Sequence, residues 1–95
     1  MSLDKLRQKQ EKIDLNILSL LEKRFEVSEK IGIHKRKNKL EVEDNNVETT
    51  KIDNLIKKSP SKILDRGFLE QVWGHIFAKS KEIQRKIQVD QNEEK

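Results

Sequence analysis

Leu6, Ile13, Ile17, Leu20, Leu21, Val27 and Ile31 fall at spacings built from three, four and seven residues, with polar side chains between them. That period predicts one amphipathic helix from Leu3 to about Lys37. No proline occurs in the segment, and Gly32 alone interrupts a run of good helix formers. Ser2 or Asp4 is placed to cap its start. The stretch "NKLEVED" at 38–44 breaks the period and reads as a loop. A second helix then opens, with Asn45 and Glu48 spaced as a capping box and Ile52, Leu55 and Ile56 as its apolar face. Pro60 in "SPS" stops it. A third helix is expected from near Asp65 to about Gln88, burying Leu69, Val72, Trp73, Ile76, Phe77, Ile83 and Ile87. The last residues, "DQNEEK" at 90–95, are polar, and 89–95 are expected to fray. There is no strand pattern, internal repeat or low-complexity linker, so the expected architecture is all-α, a single domain over 1–95.

The length of the first helix carries a further expectation. About 33 residues at 1.5 Å each extend roughly 50 Å. A compact domain of this size has a radius of gyration of only about 12 Å. Such a helix overhangs its own domain, and its apolar stripe needs a cover. The simplest cover is a second copy related by a two-fold axis, so a homodimer of intertwined, antiparallel helices is expected.

Composition points the same way. With 33% hydrophobic against 40% charged residues, a 95-residue monomer has little apolar surface to bury. The chain has no cysteine, so neither disulfides nor a thiolate metal site can supplement the core, and a reducing cytoplasm is the expected setting. No segment resembles a signal peptide or a membrane span. The formal net charge of +4 suits an anionic partner, but 21 basic and 17 acidic residues are interspersed rather than gathered into a nucleic-acid-binding tail.

Some polar residues stand where apolar ones would pack better. Arg24 lies seven residues from both Ile17 and Ile31, hence on the same stripe, and Lys35 returns to within about 20° of its direction. Ser80 and Gln84, four apart, interrupt the apolar series of the third helix. Asp44 and Glu48, also four apart, sit at the start of the second. Each has a bland reading: a snorkelling or salt-bridged arginine, a lysine favoured by the helix C-terminus, a hydrogen-bonded polar pair, a helix cap. Together, cations, an amide, a hydroxyl and carboxylates from three helices are what a pocket for a small dianion needs. His34 and His75 are far apart on different helices and read as structural rather than metal-binding.

The layout "LDKLRQKQEKIDLNILSLLEKRFEVSEKIGIHK", then "VEDNNVE", then "SKEIQ", resembles the all-helical chorismate mutases over Leu3 to Gln88, nearly the whole chain. The resemblance implies conversion of chorismate to prephenate in phenylalanine and tyrosine biosynthesis, by an intertwined dimer that needs no cofactor and no metal. It implies that Arg24 binds one substrate carboxylate, and that Arg7 of the partner subunit, with Lys35, binds the other. Lys35 and Gln84 would donate to the ether oxygen, Glu48 and the backbone near Asp44 would accept from the ring hydroxyl, and Ser80 would help hold a carboxylate. One departure stands out: Val47 occupies a position where many relatives carry arginine, which removes a cation from the pocket rim.

Helix geometry supports the division of labour between Arg7 and Arg24. They are 17 positions apart on one helix, about 25 Å along the axis and about 100° around it. One chain cannot bring both to a small ligand, whereas two antiparallel helices crossing near Leu18 can. The pericyclic reaction implied has no covalent intermediate and no obligatory proton transfer. Two other functions compete: an isochorismate pyruvate lyase of the same fold, against which the pair Asp44 and Glu48 argues, and a non-catalytic helical dimer that binds a regulatory ligand or nucleic acid. Against nucleic acid, Arg7, Arg24 and Lys35 follow inward positions, and no membrane partner is expected.

Overall fold

The computed structural model describes residues 2–42 and 45–93. Three helices follow one another, α1 at Leu3–Lys37, α2 at Asn45–Lys58 and α3 at Arg66–Glu93, and no strand occurs among the described residues. Ser2 caps α1, its Oγ accepting from the backbone N–H of Lys5 at 3.2 Å, with Asp4 in the first turn where the helix dipole favours it. Four basic side chains, His34 to Lys37, occupy the last turn. The exit is a Schellman turn: Leu40 N–H donates to Lys35 O at 2.8 Å and Lys39 N–H to Arg36 O at 3.3 Å. Lys39 takes the left-handed conformation this turn requires, φ 56°, which glycine usually fills. Asp65 caps α3 by accepting from Phe68 N–H at 2.8 Å. The proposed capping of α2 by Asn45 involves a side chain outside the described residues.

Both α1 and α2 pack on α3. α3 runs parallel to α1, as the pairing of Arg24 with Ser80 and Gly32 with Ile87 shows, and antiparallel to α2, as Glu48 with Lys81 and Asp53 with Arg66 show. Ile52, Leu69, Ile76 and Phe77 form the buried apolar centre between α2 and α3. α3 continues to Glu93, beyond the end expected at Gln88, because nothing in 88–93 breaks a helix: there is no glycine or proline there.

The apolar stripe on α1 is left uncovered by its own chain, as the overhang of so long a helix implies, and the part of α1 that α3 buries lies beside it. The buried residues of α1 are Ser28 and Gly32, the small side chains that let α3 approach closely. Leu6, Ile13, Ile17, Leu20, Val27 and Ile31 are exposed in the single chain, and Leu21 is half-buried. Before Leu21 every described residue of α1 is exposed. The reason is reach: the polar contacts and the closest approach between α1 and α3 fall at and beyond Arg24, so the N-terminal half of α1 extends past anything its own chain provides. The principal extents are 61 × 26 × 16 Å and the radius of gyration is 17.1 Å, against about 12 Å for a compact chain of this length. Among the described residues no helix is long and apolar enough to cross a membrane.

Candidate active site

A cavity of 420 Å³ opens where the C-terminal half of α1 faces α2 and α3. Its polar lining comes from all three helices: Arg24, Ser28 and Lys35 from α1, Glu48 and Lys51 from α2, Ser80, Lys81 and Gln84 from α3. Val27, Ile31, Val42, Val47 and Phe77 supply apolar walls.

Arg24 is held by a short chain of hydroxyls. Its Nη1 donates to Ser80 Oγ at 2.9 Å, Ser80 and Ser28 share a hydrogen bond of 2.9 Å, and Ser28 Oγ donates back to Arg24 O at 3.2 Å. The direction of the middle bond follows from proton supply. Ser28 spends its one proton on the carbonyl, so Ser80 donates to Ser28 while accepting from the guanidinium. This closed loop sits in a dry seam, Ser28 being 3% and Ser80 8% exposed. The Phe77 ring lies 5.9 Å from the Arg24 guanidinium carbon, a cation–π contact that fixes the side chain from a second direction. Among the described residues no carboxylate pairs with Arg24. Burial pulls its pKa below the ordinary arginine value, because desolvation penalises the charged form, yet arginine stays protonated at neutral pH. A half-buried guanidinium held by Ser80 and a ring, with part of its fork unused, is a receptor for an anion.

Lys35 reaches back from the last turn of α1 to donate to Val42 O at 3.0 Å, which ties the 38–42 loop to the cavity and leaves two ammonium protons for a ligand. Gln84 is 6% exposed, and its Oε1 is buried with no hydrogen-bond partner among the described residues. An unmet buried amide oxygen costs about 1–3 kcal/mol, so the group calls for an explanation, and a ligand that donates to it, such as a hydroxyl, is one. Gly32 places it. A Cβ at Gly32 would lie 3.2 Å from Gln84 Cα and 3.0 Å from Ile87 Cδ1, so only the missing side chain lets α3 set Gln84 this deep.

On the α2 side, Glu48 Oε1 lies 3.1 Å from Lys81 Nζ, with both side chains about a quarter exposed. Lys51 Nζ stands 5.9 Å from the Phe77 ring centroid. Among the described lining residues four cations face one carboxylate, a surplus of three positive charges.

Five of the expected site residues therefore converge: Arg24, Lys35, Glu48, Ser80 and Gln84. Arg7 does not join them; it is exposed on the overhanging part of α1. Asp44 lies outside the described residues. Ser28, Lys51 and Lys81 were not expected. Ser28 had a signal, being four residues from Arg24 on the seam facing α3, whereas the two lysines look like any others in a lysine-rich chain. The valine at 47 lines the cavity as expected, but the rim is not short of positive charge, since Lys51 and Lys81 supply it. His34 lies at the end of α1, where Asn38 caps its carbonyl at 2.8 Å, and His75 is exposed on α3.

The family described as chorismate mutase type II matches residues 6–85. No curated protein and no solved structure matches the chain.

Proposed function

The chain belongs to the chorismate mutase type II family, and on that premise we propose that it catalyses the rearrangement of chorismate to prephenate in a homodimer with two shared sites. The observation that carries this reading is the meeting of Arg24, Lys35, Glu48, Ser80 and Gln84 in one cavity, with no carboxylate paired to Arg24 among the described residues.

In this reaction one ether C–O bond breaks as one C–C bond forms within the same molecule, so nothing is transferred to or from the protein. Catalysis then has two sources. Ion pairs to both carboxylates hold the flexible substrate folded, which removes conformational entropy before the bonds move. Donors fixed in advance stabilise the negative charge that develops on the ether oxygen. Arg24, oriented by Ser80 and Phe77, takes one carboxylate. Lys35 has two free protons and Gln84 an amide for the ether oxygen. Glu48 accepts from the ring hydroxyl. Ser80 serves mainly to orient Arg24, because its proton is committed to Ser28.

The second carboxylate needs a further cation, and Arg7 of the partner subunit fits. The exposed stripe Leu3, Leu6, Ile13, Ile17 and Leu20 supports such a partner, since each of these side chains remains 43–63% exposed in the single chain. Covering the remainder gains about 1 kcal/mol apiece, hence about 10 kcal/mol for two copies, comparable to the roughly 4–15 kcal/mol cost of association. A spectrophotometric chorismate assay of the wild type and Arg24→Ala tests the proposal. Turnover by the wild type, lost by at least about a hundredfold in the variant, is expected. A wild type that binds chorismate without producing prephenate would leave the family's fold without its reaction.

A further inference from the structure

The α3 residues Phe77, Ser80, Lys81 and Gln84 all line the cavity, as spacings of three, four and seven place them on one helical face. Phe77, Ser80 and Gln84 are buried, but Lys81 extends from this face across to α2, where its ammonium meets Glu48 at 3.1 Å. Among the described lining residues Glu48 is the one carboxylate.

That carboxylate faces two difficulties in a site for a dianion. Glutamate has three rotatable bonds, so an unheld Glu48 would present its oxygens to a ring hydroxyl only part of the time. It also repels the carboxylates of the substrate as they enter. A cation bonded to one oxygen removes both: it restricts the side chain, leaves the second oxygen to accept, and offsets the charge. Val47, next to Glu48, contributes no charge, and the described partner of Glu48 comes from α3.

We infer that Lys81 is a positioning residue for Glu48, aligning and neutralising that carboxylate for the substrate hydroxyl. The inference rests on the reading of the cavity as the chorismate site. Both side chains keep about a quarter of their surface exposed, so the pair contributes modestly to fold stability and the loss of Lys81 is felt chiefly in substrate handling rather than in melting.

The test is a kinetic double-mutant cycle on the full chain with Lys81→Met, Glu48→Gln and the double variant, together with Lys81→Arg and thermal melts of each. Lys81→Met raises KM for chorismate about tenfold with kcat within about threefold, as expected for loss of a charge-assisted contact present in ground and transition states alike. Lys81→Arg restores KM to within about threefold of wild type. In the Glu48→Gln background, Lys81→Met adds little, because the charge it served is gone. An unmoved KM in Lys81→Met, an effect of equal size with and without Glu48, or a collapse of the melting transition in Lys81→Met each overturns the inference. Wild-type protein without turnover overturns the reaction itself and the inference with it, whereas active wild type with an unaffected Lys81→Met variant overturns the role of Lys81 alone.

Discussion

Replacing Gly32 by alanine tests how the site is held. The added Cβ would stand 3.2 Å from Gln84 Cα and 3.0 Å from Ile87 Cδ1, while carbon atoms rest comfortably at about 3.5–4.0 Å. Ile87 can turn its terminal methyl aside. The Gln84 contact is to backbone, so α3 must retreat by about 0.5 Å at that point. Overpacking of this kind costs about 1–3 kcal/mol, and the better helix propensity of alanine returns about 1 kcal/mol. The net loss is about 1 kcal/mol, a fall in melting temperature of about 4–8 °C for a domain of this size. Gln84 moves with its backbone. Removing an oxyanion donor outright costs about 3–4 kcal/mol, so a displacement of half an ångström is expected to lower kcat about tenfold with little change in KM. Gly74 is the control: a Cβ there meets nothing within 4 Å, so Gly74→Ala should gain up to about 1 kcal/mol and leave kcat alone. Thermal melts at one fixed protein concentration and the chorismate assay measure both. A Gly32→Ala variant that melts at or above the wild type and turns over within twofold of it would refute the close seating of α3 on α1.

Gln84→Glu should move the activity optimum to acidic pH. Its carboxyl donates only when protonated, and Arg24 and Lys35 favour the charged form, so rate falls as pH rises through its pKa; a neutral optimum in a pH–rate profile would count against the contact. Arg7→Ala and Arg24→Ala should each be inactive alone, yet recover about a quarter of wild-type activity when unfolded and refolded together, because half the dimers are mixed and each holds one intact site. No recovery, with mixed dimers detected, would place both arginines in one chain's site. Lys39→Gly should raise the melting temperature by about 2–4 °C with activity unchanged, since glycine adopts the φ of 56° without the strain a side chain brings; a lower melting temperature would argue against the left-handed turn.

The helices were legible because their signals are local. A 3.6-residue period over 35 residues needs no knowledge of what lies opposite, and the end of α1 at Lys37 and the stop before Pro60 follow from the loss of that period and from proline chemistry. Burial was less legible. The period aligned Arg24 with Ile17 and Ile31 correctly, but the surface that α3 covers is the neighbouring one, through Ser28 and Gly32, whose small side chains carry almost no hydropathy signal. The convergence of Arg24, Lys35, Ser80 and Gln84 could be expected because each breaks an apolar pattern. Lys81 breaks none. On a helix with lysines at 79, 81 and 86, which of them crosses to Glu48 depends on where α2 sits, a matter of tertiary geometry.

The unbroken course of α1 from Leu3 to Lys37 makes it a ruler. If Arg7 and Arg24 serve two different sites, their separation fixes the distance between those sites, and substitution along the way is cheap while any change of length is not. One inserted residue turns Arg7 by about 100° away from its pocket; seven restore its direction to within about 20° but carry it about 10 Å too far. Over evolutionary time such a helix can exchange most of its surface yet cannot grow or shrink, so relatives of this chain should vary in composition between these two arginines and hold the interval between them constant.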